Sequence, residues 1–98
     1  MSKSLVCEGQ VVRFAVDREG DMTTLALSAQ SRNPERLYEL RFTNVVDLRF
    51  ESPVEFEANI VLLAERFTSE GWEGIEFRVS DHERNFVSFY CGTIEHLR

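Results

Sequence analysis

The chain has 98 residues, 43% of them hydrophobic, and a formal net charge of −6 at pH 7. This size and apolar content predict one domain over residues 1–98, held together by hydrophobic packing and not by metals or disulfides. The negative charge argues against nucleic-acid binding, because affinity for phosphates comes mainly from Lys and Arg.

The first predicted element is a β-hairpin. Residues 10–16 alternate between apolar and polar, with Val12 and its i+2 partners expected to point inward. Residues 22–28 form a second alternating run, and Gly20 in the loop between them is free to adopt a positive φ. Two alternating runs around a short loop with glycine are typical of a hairpin.

The longest pattern is the alternation from Leu37 to Glu51. Apolar residues fall on one parity and mostly charged residues on the other, which predicts a strand with one buried and one solvent-facing side. Asn44 is the one polar residue on the apolar side, so we expect a bulge, bend or turn there. Asp47 and Arg49 lie on the charged side, as cross-strand ion-pair partners or as part of a recognition surface.

Residues 53–69 are predicted to form a helix. The four residues 52–55 (Ser-Pro-Val-Glu) have the pattern of a capping box with proline at the first helical position. Apolar residues then recur from Phe56 to Phe67 at helical spacing. The competing interpretation is a strand over Asn59–Arg66, since that segment begins with a β-favouring run.

Three further segments complete the predicted elements. Residues 75–79 alternate as a strand, residues 86–92 are apolar on both parities, and residues 93–97 extend that strand. The predicted fold class is therefore α+β, an antiparallel sheet of about 5–6 strands with the helix at about 53–69 packed on one face. The alternative is an all-β sandwich or half-barrel.

The expected functional surface is a protein-binding one. Trp72 lies between Gly71 and Gly74, which would let it project from a loop as a binding anchor, although it could instead cap the open end of the sheet. Nearby acidic residues lie in loops that could share one end of the sheet. The predicted protein-binding residues are Trp72, Glu70, Glu73, Asp81, Glu83, Asp47 and Arg49.

We expect no catalytic residue, no cofactor and no metal ligand, and hence no enzyme. The run Asp81–Glu83 contains consecutive loop residues, which rarely converge on one ion, and zinc needs three or four ligands. A pair of Cys91 with His82 or His96 would still lack oxyanion donors. A disulfide between Cys7 and Cys91 would require the N-terminal segment to pack beside the last strand.

The acidic excess lies in the second half of the chain. Residues 1–45 carry six basic and six acidic side chains, whereas residues 46–98 carry five basic and eleven acidic ones. Such a half favours solubility or the attraction of a basic partner. No stretch approaches the ~20 apolar residues of a membrane span, and the first residues lack a signal-peptide core. We therefore expect a cytoplasmic protein with no membrane partner.

Three segments resemble a group of small bacterial proteins. Residues 40–48 contain the pattern F-x-x-V-x-x-L, residues 59–60 follow, and residues 89–94 match F-x-C/S-x-x-I. Together they resemble proteins grouped with the immunity proteins of polymorphic toxin systems. The motif positions are structural, so no functional residue is carried over. Together with the acidic second half, the resemblance favours a non-enzymatic protein-binding module, most concretely an acidic immunity-type inhibitor of a basic toxin or enzyme.

Two other functions remain as alternatives. One is a small-ligand-binding or regulatory domain with a Phe-lined pocket between sheet and helix. The other is a homo-oligomer formed through an exposed sheet edge, because so small a sheet leaves strand edges available for pairing.

Overall fold

A computed structural model describes residues 3–32, 35–50, 59–83 and 85–97. Eight strands form there: β1 (Ser4–Glu19), β2 (Met22–Arg32), β3 (Glu35–Thr43), β4 (Val46–Phe50), β5 (Asn59–Arg66), β6 (Phe77–Asp81), β7 (Val87–Cys91) and β8 (Thr93–His96). No helix occurs in these residues. The described part of the chain therefore has no helix able to cross a membrane.

The strands form one antiparallel sheet in the order β4-β7-β6-β5-β1-β2-β3-β8. The ends of this order are close in sequence, because β3 leads to β4 through two residues and β7 leads to β8 through Gly92. β1 also changes partner: residues 4–10 pair with β5 and residues 10–19 pair with β2. The sheet therefore folds over on itself into a front layer (residues 4–10, β5, β6, β7, β4) and a back layer (residues 10–19, β2, β3, β8).

The core lies between these two layers. Phe42 of β3 and Phe89 of β7 meet edge to face with ring centroids 4.9 Å apart, and both are fully buried. Phe14 of β1 packs against Phe50 and Phe86. Alternate side chains of β2, β3, β5 and β7 enter this interior, as expected of a half-buried sheet.

The predicted helix at 53–69 is wrong where the structure describes it. Residues 59–66 form β5, residues 67–69 have no regular structure, and residues 53–58 lie outside the described residues. Ile60, Leu62 and Ala64 are buried while the residues between them are partly exposed, which is a period of two. Pairing with β1 on one side and β6 on the other satisfies the backbone of β5, so tertiary context decided the structure of this segment.

The α+β fold class is therefore corrected to all-β, with eight strands in the described residues instead of five or six. The all-β alternative fits. The higher strand number arises because the long runs are divided by bends. The N-terminal hairpin is confirmed, but a bulge between Val11 and Arg13 turns Val12 outward, so Val11 takes the buried position.

The expected break at Asn44 is confirmed. Asn44 has φ 55°, and β3 ends one residue before it. The partner segment bends at Gly92, whose N–H donates to the Thr43 carbonyl at 2.9 Å. The Asn44 amide donates to the Gly74 carbonyl at 3.2 Å, and a Cβ on Gly92 would collide with the same carbonyl oxygen. The double bend therefore fixes the loop that carries Trp72.

Candidate functional site

The candidate site lies on the outer surface of the front layer. In β7, Val87, Phe89 and Cys91 are buried, so Ser88 and Tyr90 point outward. Antiparallel pairing puts Tyr90 beside Val46 of β4 and Arg78 of β6. Ser88 is likewise flanked by Arg49 and Ser80.

Three aromatic side chains cluster there. Trp72 meets the Tyr90 ring edge to face at 5.1 Å between centroids, and Phe67 lies 4.7 Å from Tyr90 and 5.7 Å from Trp72. Such tilted and edge-to-face pairs add about 0.5–1.5 kcal/mol each beyond burial. Trp72 nevertheless remains 39% exposed. We call the outer surface of β4, β7 and β6, with these three residues, the aromatic face.

The loop between β5 and β6 holds Trp72 over the sheet. The Phe67 N–H donates to the Glu76 carbonyl at 2.9 Å and closes the base of the loop. Within it, the Ile75 N–H donates to the Trp72 carbonyl at 3.2 Å, and Ile75 is buried. Gly71 and Gly74 have φ 85° and 81°, which a residue with a Cβ rarely adopts. The glycines therefore serve the tight turns around the tryptophan.

Charged residues surround the aromatic face. Glu70 and Glu73 are exposed in the same loop as Trp72. Arg49 Nε lies 3.3 Å from Asp47 Oδ1. On β6, Arg78 Nη1 lies 3.3 Å from Glu65 Oε1. The first pair is exposed and contributes little to stability, whereas the second is partly buried; both orient their side chains.

The two remaining predicted residues differ sharply in environment. Asp81 is buried, and its carboxylate accepts the backbone N–H groups of Val61, Glu83 and Phe86 at 3.0, 2.9 and 2.9 Å. It therefore holds the β6–β7 turn together from inside. The Glu83 side chain is exposed in that turn, which follows β6, whereas the loop with Trp72 precedes it. The two loops therefore lie at opposite ends of β6, and the expectation that they share one end of the sheet is wrong.

Sequence reasoning missed Phe67, Tyr90 and Arg78. Phe67 had been assigned to the apolar stripe of the helix that does not form. Tyr90 belongs to the run with apolar residues on both parities, and that double pattern was the available signal for a second covered face.

The cysteines are not suited to nucleophilic chemistry. Cys7 and Cys91 are free thiols, and both are buried. Burial raises the pKa of each to about 12, and for Cys7 the negative charges of Asp81 and Glu8 add to the effect. The reactive thiolate is therefore disfavoured. Among the described residues, no group of three or more His, Cys, Asp or Glu converges to hold a metal ion.

Two clefts lie away from the aromatic face. One of about 540 Å³ has polar walls where β1 and β2 diverge, around Gln10 and Gln30. The other, of about 400 Å³, has Phe77, Ile94 and Val6 among its walls.

Comparison with known families identifies the class of protein to which this fold with its aromatic face belongs, which is that of the immunity proteins. The family model described as Immunity protein PIM8 matches residues 8–96, so the chain belongs to this family. This confirms the resemblance seen in the sequence. No curated protein and no solved structure matches the chain.

Proposed function

We propose that this protein neutralises a protein toxin by binding it through the aromatic face. The observation that carries the proposal is Trp72, a large apolar side chain held in a fixed orientation by Phe67 and Tyr90 yet 39% exposed. Trp, Tyr and Arg dominate the binding energy of protein interfaces, and a rigid anchor loses little entropy on binding. Membership of an immunity-protein family supports a toxin as the partner.

The charge distribution supports a basic toxin or enzyme as this partner. Residues 46–98 carry eleven acidic side chains against five basic ones, and this half supplies the loop with Glu70 and Glu73. Carboxylates at the rim of an interface attract a basic partner and accelerate encounter, whereas the buried anchor controls dissociation. The proposed binding set is Trp72, Glu70, Glu73, Asp47, Arg49 and Glu83. Asp81 is left out of this surface because it is buried.

Growth protection tests this function. A host expressing the toxin reading frame next to the gene of this chain should stop growing, and co-expression of the chain should restore growth. Trp72→Ala should weaken the complex by at least about 30-fold, the size expected for a hot spot. Leu97→Ala is the matched control, since Leu97 is 49% exposed but lies at the end of β8.

Two results would contradict the proposal. One is a chain that neither protects the host nor forms a complex with the purified toxin. The other is equal affinity for the Trp72→Ala and Leu97→Ala proteins. A separate measurement concerns charge: between about 0.05 and 0.5 M salt the association rate should fall several-fold, because the Debye length shortens. An unchanged rate would remove the steering role of the carboxylates.

A second candidate function is the binding of a small ligand, supported by the 400 Å³ cleft with Phe77 and Ile94. This cleft lies at an open corner of the folded sheet and not between sheet and helix. Arg66 and His96 are also part of its wall, so an apolar ligand with an acidic group fits its chemistry. Fluorescence of a bound dye tests this second function. Anilinonaphthalene sulfonate should fluoresce on binding to the cleft, and Ile94→Arg should abolish the signal. A signal that Ile94→Arg leaves unchanged would exclude this site.

A further inference from the structure

A small cleft on the aromatic face contains two arginines. It has a volume of about 190 Å³ and is lined by Asp47, Arg49, Arg78, Ser88, Phe89 and Tyr90. An adjoining cleft of about 320 Å³ shares Arg49, Arg78 and Ser88. The two arginines thus lie where the two clefts meet, in the half of the chain where acidic residues predominate.

Each arginine is held by one carboxylate. Arg49 uses Nε on Asp47, and Arg78 uses Nη1 on Glu65. The described residues offer no other acceptor to either guanidinium, so the remaining N–H donors of each fork are available. Side chains that are oriented before binding lose less entropy when they bind.

The backbone of β4 contributes to this arrangement. The β4–β7 register shifts between Val46 and Arg49, and Asp47 within this bulge has φ 52°. Bulges redirect side chains and occur often beside functional sites, and positive φ is uncommon outside glycine. The bulge lets the Asp47 carboxylate reach Arg49 two residues ahead on the same strand.

We propose that this cleft binds a carboxylate side chain, Asp or Glu, of the toxin; the inference rests on the proposed function. Arginine forks match a carboxylate in two parallel hydrogen bonds, and the hydroxyls of Ser88 and Tyr90 add donors. Phosphate has similar chemistry. A singly charged carboxylate is favoured because the acidic excess of this half of the chain opposes the doubly charged ion more strongly.

With this cleft, the proposed interface presents both negative and positive charges to the toxin. A basic patch of the toxin would meet Glu70 and Glu73, while one acidic side chain would enter between Arg49 and Arg78 beside the Trp72 anchor. A partner with the opposite order of charges would face like charges at both positions. This arrangement fixes the orientation of the complex and excludes other basic proteins.

A titration of the wild-type protein tests the cleft without the toxin. N-acetyl-glutamate methylamide is added while NMR follows the Nε–Hε signals of Arg49 and Arg78, with Arg13 on the back layer as the internal control because it lines neither this cleft nor the 400 Å³ one. Saturable shifts confined to Arg49 and Arg78, absent with N-acetyl-glutamine methylamide, are expected. Equal shifts at Arg13, no shift, or at least about tenfold tighter binding of inorganic phosphate would overturn the inference.

Toxin affinity then separates the two proposals. Arg49→Gln and Arg78→Gln should each weaken the complex by about tenfold or more, whereas Arg13→Gln on the back layer should leave it unchanged. If the toxin binds and depends on Trp72 but not on the two arginines, the cleft inference fails and the proposed function stands. If the probe shifts both arginines but no toxin binds, the proposed function fails and the carboxylate site remains as a binding site.

Discussion

The two outer faces of this folded sheet cover one core, yet they differ in composition. On the back layer, pairing places Ala15 beside Ala26 and Arg13 beside Ser28, so these outward residues are small or polar, and Val12, which the bulge turns outward, is the apolar exception. On the front layer, Tyr90 points outward and Phe67 and Trp72 lie over it. The inner faces bury the core, and the proposed function uses the large aromatic residues that lie outside it.

The largest expected effect on stability comes from comparing two neighbouring residues of β7, one that faces the core and one that faces outward. Phe89→Ala should lower the free energy of unfolding by about 3–5 kcal/mol, because it removes a fully buried ring. Tyr90→Ala should cost about 1–2 kcal/mol, the value of two partly exposed aromatic contacts. Urea denaturation measures both. Equal losses would make Tyr90 part of the core and end the distinction between the two outer faces.

Substitutions of two matched serines test which of the two outer faces binds the toxin. Ser88 on the front layer and Ser28 on the back layer are both half-buried and point outward. Ser88→Glu should weaken toxin binding by about 100-fold, because it places a carboxylate in the proposed contact and beside the arginine cleft. Ser28→Glu should have no effect, and calorimetric titration checks both. A larger loss with Ser28→Glu would move the interface to the back layer.

Substitutions of two acidic residues at one end of the front layer should differ in their effect on the free energy of unfolding. Asp81→Ala should lower the free energy of unfolding by at least about 2 kcal/mol, since the carboxylate accepts three backbone amides. Glu83→Ala should stay within about 0.5 kcal/mol, as for most exposed positions. Thermal and urea unfolding provide the comparison. If Asp81→Ala were as stable as the wild type, Asp81 would have to be reconsidered as a binding residue.

The smallest effect concerns Cys91, which points inward beside the outward Tyr90. The pKa of its thiol is raised from 9.0 to about 12, so below pH 9 both folded and unfolded thiols are protonated. Between pH 9 and 12 only the unfolded thiol ionises, so stability should fall as pH rises, by at most about 1.4 kcal/mol per pH unit. Urea unfolding of Cys91→Ala at pH 8, 9 and 10 should show a shallower fall than the wild type. Identical slopes would mean that the folded thiol ionises normally.

Sequence reasoning worked where one face of a strand is buried and the other is solvated. The run from Leu37 to Glu51 had that pattern, and its break at Asn44 was confirmed because one polar residue interrupted the apolar side. It failed in the described part of the predicted helix, residues 59–69, where β5 lies between two other strands and its apolar residues are compatible with either period. For the site, Trp72 and its glycines were visible locally, and the two-sided apolar run of β7 was the one signal for Tyr90, whereas Arg78 comes from another strand and carries no local signal.

The sequence by itself determined the alternating strands, the hairpin, the acidic second half and the membership of an immunity-protein family. Each of these depends on local periodicity, composition or motif spacing, which the chain carries without reference to distant contacts. Only the tertiary structure decided that residues 59–66 are a strand and that β4, β7 and β6 carry an aromatic face. The physical reason is that strand pairing joins residues far apart in sequence, and the choice between helix and strand depends on which partners satisfy the backbone.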